Sequence, residues 1–303
     1  MIAINSYTTV KCRDQVPHDV FAEYWRDVHG PLCARLPVLG HYVQYHFDRV
    51  QDAHLWPLGD GILEIPDYEL DGMVEIGFAQ QADQQTFQAA SPLLFNDEQN
   101  MFSETLAYDL PNGSCAVKNT LADDLHNGPD RLDRLQLHMH PRHDLEDLNG
   151  YLMNQLGPWL AKQAAVLKLR LHPCISFIND GQHPPSPAVV HRADTIRERL
   201  SMVEIVFASP LERRRFFASE PFQATHAEQS QHIAYLKAFA VSGVYTYVHA
   251  GELTTAGLRG SRAAELIEKL GAVNQTQPDV VQLLRHGSLP EARGRSAVTP
   301  LEG

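Results

Sequence analysis

The chain has 303 residues and a mass of 34.0 kDa, with 44% hydrophobic and 20% charged residues, a balance that supports a packed core and excludes wholesale disorder. Its formal net charge is −12 and its pI is near 5.7, so it lacks the basic footprint that nucleic acid or an anionic membrane requires. The four cysteines (Cys12, Cys33, Cys115, Cys174) are scattered with no CxxC pair, which reads as reduced core thiols in a cytoplasmic protein. No apolar run reaches the roughly 18 residues of a bilayer span, and MIAINSYTTVK reads as a strand rather than a signal peptide.

In chain order, residues 2–12 alternate, with Ile4, Thr8 and Val10 on one face and Asn5, Tyr7, Thr9 and Lys11 on the other, as in a half-buried strand. From Pro17 to Leu36 the set Phe21, Trp25, Val28, Leu32 and Leu36 has helical spacing, with Pro17 at its start. His41–Phe47 and residues 73–79 read as strands, a helix follows over 83–102, and Thr105–Asp109 closes a βαββαβ series. Leu135–His140, a helix over Leu145–Ala165, Val166–His172, Met202–Phe207, a helix over 211–239 and Val244–His249 repeat that order. Segments 50–71 and 174–199 are Pro- and Asp-rich insertions at the same place in each series.

Internal identities support the repeat. MVEIGFA at 73–79 returns as MVEIVFA at 202–208; Phe87 and Pro92 meet Phe216 and Pro221 at the same shift of 129, and Tyr24, Gly30 and Pro31 meet Tyr151, Gly157 and Pro158 at a shift of 127. The expected fold is therefore α+β: two tandem ferredoxin-like βαββαβ units, 1–110 and 131–254, joined by a linker over 111–130. Residues 255–303 form a helical extension, with Ser261–Leu270 (Ser261 as N-cap, Gly271 beyond the C-terminus), a short helix Pro278–Arg285 and a disordered tail from 287.

Phe21-x-x-Tyr24-Trp25-Arg26-x-x-His29-Gly30-Pro31-Leu32, followed by Tyr42-Val43-Gln44-x-His46 and Asp71-Gly72-x-x-Glu75-x-x-Phe78, resembles the EthD-like branch of the dimeric α/β-barrel superfamily. The resemblance covers residues 2–110 well. It covers 135–250 faintly, with Gly157-Pro158 and MVEI-x-FA kept but Leu156 in place of His29. It implies two antiparallel sheets packed face to face around a pocket, here within one polypeptide as a single-chain barrel. It also implies lyase, isomerase or cofactor-free oxygenase chemistry, and a role for the histidine before Gly30-Pro31.

Strand alternation assigns the faces. Val74, Ile76 and Phe78, and likewise Val203, Ile205 and Phe207, belong under helices, which sends Glu75 and Glu204 into the barrel lumen. By the same alternation Tyr7, Thr9, Lys11, Gln136, His138 and His140 face the lumen, as do Lys168, Arg170 and His172, which correspond to His41, Val43 and Tyr45. Such groups cost several kcal/mol each if buried alone, so they pair with one another or meet substrate. The structural alternative pairs Glu75 with Lys11, and Glu204 with Lys168 or Arg170.

Pro31 removes a donor from the helix, and the resulting kink turns His29 toward the mouth of the barrel; capping the helix end is the alternative role. The candidate catalytic residues are His29, Glu75, His41 and Tyr45, and the candidate substrate contacts are Tyr7, Lys11, His138, His140, Glu204 and Arg170, with Tyr42, Trp56, Tyr245 and Tyr247 as candidate apolar walls. His138-x-His140-x-x-His143 has the residue types of a metal site but no Cys or Asp ligands beside it, so no metal is expected. There is no phosphate loop, GxSxG elbow or CxxC pattern, and no cofactor is expected. A cofactor-independent lyase or isomerase acting by acid–base catalysis on a small aromatic, lactone or polyketide-like carbonyl compound fits these residues best. A cofactor-free monooxygenase and a non-catalytic small-molecule-binding or stress-associated protein stay open. The expected partner is a small-molecule substrate, without nucleic acid or membrane, and the C-terminal extension leaves a homodimer open.

Overall fold

The structure is a computed structural model, and it describes residues 2–52, 54–121, 125–179 and 186–288. Its elements in chain order are β1 (Ile4–Cys12), α1 (His18–Tyr24), a π-helical turn (Trp25–His29), α2 (Gly30–Ala34), β2 (His41–Phe47), β3 (Leu63–Glu64) and β4 (Gly72–Phe78). There follow α3 (Gln81–Ala90), α4 (Pro92–Glu98), β5 (Phe102–Leu110), β6 (Cys115–Asn119) and β7 (Asn127–Pro129). Next come β8 (Asp133–Pro141), α5 (Leu145–Tyr151), a second π turn (Leu152–Leu156), α6 (Gly157–Ala161), β9 (Lys168–His172) and β10 (Ser201–Phe207). The chain continues with α7 (Pro210–Phe217), α8 (Glu220–Gln223), α9 (His226–His232) and β11 (Ile233–His249). It closes with β12 (Glu252–Leu253), α10 (Thr255–Arg259), α11 (Ser261–Leu270), a 3-10 turn (Val273–Thr276) and α12 (Pro278–His286).

The fold is α+β, built on a large, mainly antiparallel sheet with the ferredoxin-like strand order. That order occurs twice: β5-β1-β4-β2 in the first half and β11-β8-β10-β9 in the second. Registers agree as well, Tyr7 standing opposite Glu75 where Gln136 stands opposite Glu204. β11 joins the two series, its first half pairing with β8 and its second half with β2. At the other junction β5 pairs with β1, and after a four-residue turn β6 pairs with β9.

Three apolar clusters result. One lies under the helices of the first half (Val10, Phe21, Trp25, Val74, Phe78), and one under those of the second (Leu135, Leu137, Val203, Ile205, Phe216). The third holds Tyr7, Val43, Tyr45 and Met73 from the first series against Met202, Phe239 and Val241 from the second. The face assignment made by alternation is the one observed. No described helix is long and apolar enough to cross a membrane.

Several boundaries differ from the sequence reading. The helix expected over 211–239 is three short helices, and Ile233–His249 is one 17-residue strand. Ile233, Leu236 and Phe239 have helix-like spacing, but pairing with both β8 and β2 overrides it. The helix expected over 83–102 breaks at Ser91-Pro92, where proline cannot continue the ladder, and β5 starts at Phe102. Gly260 rather than Ser261 caps α11, while Gly271 takes the left-handed conformation beyond its end. Of the tail expected to be disordered, residues 289–303 lie outside the described residues, as do 122–124 of the linker.

Candidate active site

The helix His18–Ala34 carries a π turn because Pro31 has no N–H to donate. Gly30 N–H reaches back five residues to the Trp25 carbonyl, and the Arg26 carbonyl, freed from the helix, accepts a hydrogen bond from the Tyr247 hydroxyl at 2.7 Å. Residue 30 must be glycine, since a Cβ there would lie 2.5 Å from the Tyr247 ring. This turn sets the direction of its last residue, His29, which is 6% exposed. His29 Nδ1 lies 2.8 Å from Oδ2 of Asp97 at the end of α4. Asp97 Oδ1 accepts from the Tyr24 hydroxyl at 2.6 Å and from Asn100 Nδ2 at 3.1 Å. Burial pushes the Asp97 carboxyl up, but the His29 and Tyr24 hydrogen bonds bring it below its ordinary value. An ionised carboxylate accepts only, so it fixes the proton on Nδ1 and leaves the Nε2 lone pair free to act as a base. Nε2 has no hydrogen-bond partner among the described residues.

His29 stands in the wall of a cavity of about 380 Å³ between the first sheet and its helices. Trp25, Val74, Ile76, Phe78, Phe87, Leu94 and Phe102 make it largely apolar. Ser6, Thr8, Thr105 and Asp109 from the strands, and Gln84, Gln88 and Glu98 from the helices, add polar points. Burial pushes the Glu98 carboxyl up to about 8, against a lowering hydrogen bond from Thr105. The Cys33 thiol is pushed up to about 12, also by burial, so it is a neutral wall rather than a nucleophile. One wall comes from the second half: His191, in the 174–199 insertion, places Nδ1 2.8 Å from Thr105 Oγ1. Volume, apolar lining and a few convergent polar groups are the attributes of a small-molecule site.

Residues 13–103 match the EthD domain family model. The match lies within the first half of the chain. Among curated proteins no relative matches. Solved structures are similar at low identity. A candidate monooxygenase of Fusobacterium nucleatum subsp. nucleatum ATCC 25586 has a TM-score of 0.50 at 7% identity, over 84% of this chain and 97% of that one. One of Lactobacillus acidophilus NCFM has 0.45 at 9% over 82% and 98%, and an anthrone oxidase-like protein has 0.48 at 9% over 84% and 97%. At these identities the likeness is one of fold.

Of the aromatic walls expected from the sequence, Tyr42 lines the cavity, whereas the other candidate catalytic residues and the candidate substrate contacts lie on the opposite face of the first sheet, away from it. Glu75 is held by both terminal nitrogens of Arg170, with Nη1 to Oε2 at 2.6 Å, and by Asn5 Nδ2 at 2.6 Å; its expected partner Lys11 takes no part and stands opposite Glu104 on β5. Glu204 is paired with Arg134, with Arg170 at 3.4 Å and with Lys168 at 3.6 Å. Burial pushes both glutamates up, but these cations hold them well below the usual carboxylate range. Tyr7 meets Gln136 Oε1 at 3.2 Å and His138 Nε2 at 2.8 Å, and Tyr68 meets His138 Nδ1 at 2.8 Å. Burial takes His138 down to about 3. A neutral imidazole that gives Nε2–H to Tyr7 and accepts from Tyr68 satisfies every group in that chain.

His140 Nδ1 faces the Ile196 carbonyl at 2.8 Å. On this side too, His41 is half-buried and Tyr45 buried, the histidine lowered and the tyrosine raised by desolvation. On this side the two glutamates are therefore paired with arginines, and His138 is held by Tyr7 and Tyr68. Of the four candidate catalytic residues, only His29 reaches the cavity, and it faces the space under the helices rather than the barrel mouth. His138 and His140 are spent on tyrosines and a carbonyl, and no group of three or more His, Cys, Asp or Glu among the described residues could hold a metal.

Sequence reasoning missed Asp97, Glu98 and Thr105. Asp97 is 68 residues from His29, and nothing local marks the pair. One signal was present: at the shift of 129, Asp97 and Glu98 meet His226 and Ala227, so both are missing from the half where Leu156 stands for His29.

Proposed function

We propose that the EthD domain houses a cofactor-independent acid–base site acting on a small, largely apolar carbonyl or phenolic compound. The observation that carries this reading is the Asp97-oriented His29 in the wall of the cavity. Nε2 takes a proton from carbon α to the carbonyl, and the C–H electron pair moves into the carbonyl to leave an enolate. Reprotonation elsewhere gives isomerisation; expulsion of a leaving group gives dehydration or lyase cleavage. The alternative course, reaction of the carbanion with dioxygen, makes the site a cofactor-free monooxygenase, and the name carried by the Fusobacterium fold neighbour makes oxygen uptake the first branch to measure.

The test is deuterium incorporation from D2O into a panel of aryl ketones and lactones, with an oxygen electrode alongside. His29→Ala should lower exchange by about 10²-fold or more while leaving the melting temperature nearly unchanged. Equal exchange in wild type and variant removes the assignment.

The repeated strand order, the matched registers and the π turn before Gly-Pro in both halves support reading the chain as a tandem duplication. The units are residues 1–110 and 131–254, with 111–130 as linker and 255–303 as extension. The side-chain contacts of Tyr7 with His138 and of Glu75 with Arg170 support sheets packed face to face as a single-chain barrel.

A further inference from the structure

Asp97 and Glu98 are consecutive in sequence and oppositely served. Asp97 collects side-chain donors from three residues, whereas among the described residues the Glu98 carboxyl accepts one hydrogen bond, from Thr105 Oγ1 to Oε2 at 3.2 Å. No lysine, arginine or histidine forms an ion pair with Glu98 among the described residues, and burial dominates its electrostatics. The protons around Thr105 can be followed. His191 Nδ1 lies 3.2 Å from the Thr105 carbonyl, which only accepts, so Nδ1 carries a proton and shares it with Oγ1 at 2.8 Å. The hydroxyl then gives its own proton to Oε2. Oε1, which has no partner among the described residues, is left to carry the acid proton at the cavity wall.

We propose that Glu98 is the acid of this site, its Oε1–H donating to the substrate oxygen on which charge develops as His29 Nε2 accepts the substrate proton. This rests on the acid–base reading above and deepens it: the substrate must present an ionisable C–H or O–H together with an oxygen that can reach Glu98. The two carboxylic acids then divide the work, one charged behind the base and one neutral against the substrate.

The test uses the full chain and 4-nitrophenol, whose absorbance distinguishes phenol from phenolate. Wild type should bind it with the proton passed to His29 and the oxyanion held by Glu98. Glu98→Ala should weaken phenolate binding about tenfold or more. Glu98→Gln, which keeps a donor, should lose less. In a pH series, wild-type binding should fall as Glu98 ionises near 8, and that limb should vanish in Glu98→Gln. Asp97, His29, Cys33, Asp109 and His191 surround the same cavity and are all retained in Glu98→Gln, so a limb present in wild type and absent from the variant is assigned to Glu98. If both Glu98 variants bind the phenolate as wild type does while His29→Ala abolishes its ionisation, the acid assignment fails and the base reading stands. If His29→Ala still ionises the probe and Glu98→Ala does not, the base reading fails instead.

Discussion

The two halves place the same strands and helices around very different interiors. In the first, the strand positions under the helices are Ser6, Thr8 and Val10; at the matching registers the second has Leu135, Leu137 and Met139. Thr105 is answered by Leu236, and the last residue of the π turn is His29 in one half and Leu156 in the other. Each half also lends a segment to its neighbour, with contrary effect. Trp56, from the insertion of the first half, stacks edge-on against Phe217 and Phe222 and closes the second interior. The insertion of the second half gives the first Val189 for its helix-side core and His191 for a polar wall of the cavity. Small side chains border a chamber in the first half; large buried ones occupy the matching positions in the second. A site can thus be switched off by filling while the scaffold persists.

That contrast can be broken from either side. The largest expected effect is on stability: Trp56→Ala should cost about 3–5 kcal/mol by opening a void in the second interior, read as a shifted urea midpoint. It should confer no proton exchange there, since Leu156 supplies no base. Next, Ser6→Leu with Thr8→Leu should make the first interior resemble the second, reducing turnover and nitrophenol binding by about 10²-fold with stability unchanged or raised by added apolar burial. Retained binding would show that the chamber is not where the ligand sits.

The smallest effect is in the pH dependence of melting. Glu75 and Glu204 have lowered folded-state values, so their contribution is present above the ordinary carboxylate value, about 4.3, and fades as pH falls. Glu98 is raised to about 8, so its neutral form favours the fold fully below about 4.3, and that contribution is lost as pH rises through 8. Glu98→Gln should therefore raise the melting temperature by an amount that grows as pH climbs from about 4.3 towards 8 and levels off above it. A variant that melts lower at alkaline pH would contradict a neutral Glu98.

Alternation in MVEIGFA and MVEIVFA was enough to read which face of each sheet meets helices, and Gly30-Pro31 was enough to read a disturbed helix, because both signals are local. The site itself was less legible. Polar residues on one strand face invite a functional reading, yet Glu75, Arg170, Glu204 and Arg134 neutralise one another. The informative residues were the small ones, Ser6 and Thr8, on a face otherwise expected to be apolar. Asp97 became a partner of His29 only through the packing of α4 on the first helix. The apolar spacing of Ile233, Leu236 and Phe239 concealed a strand whose identity depends on two others far away in sequence.

That strand carries a consequence for biosynthesis. Residues 241–248 complete the border of the first sheet beside β2, although the rest of that sheet has been translated by residue 110. During synthesis from the N-terminus, β2 must wait with its edge unsatisfied while more than a hundred further residues emerge from the ribosome. Neither half can be finished before the other, and the polypeptide matures as one cooperative body rather than as two modules in succession.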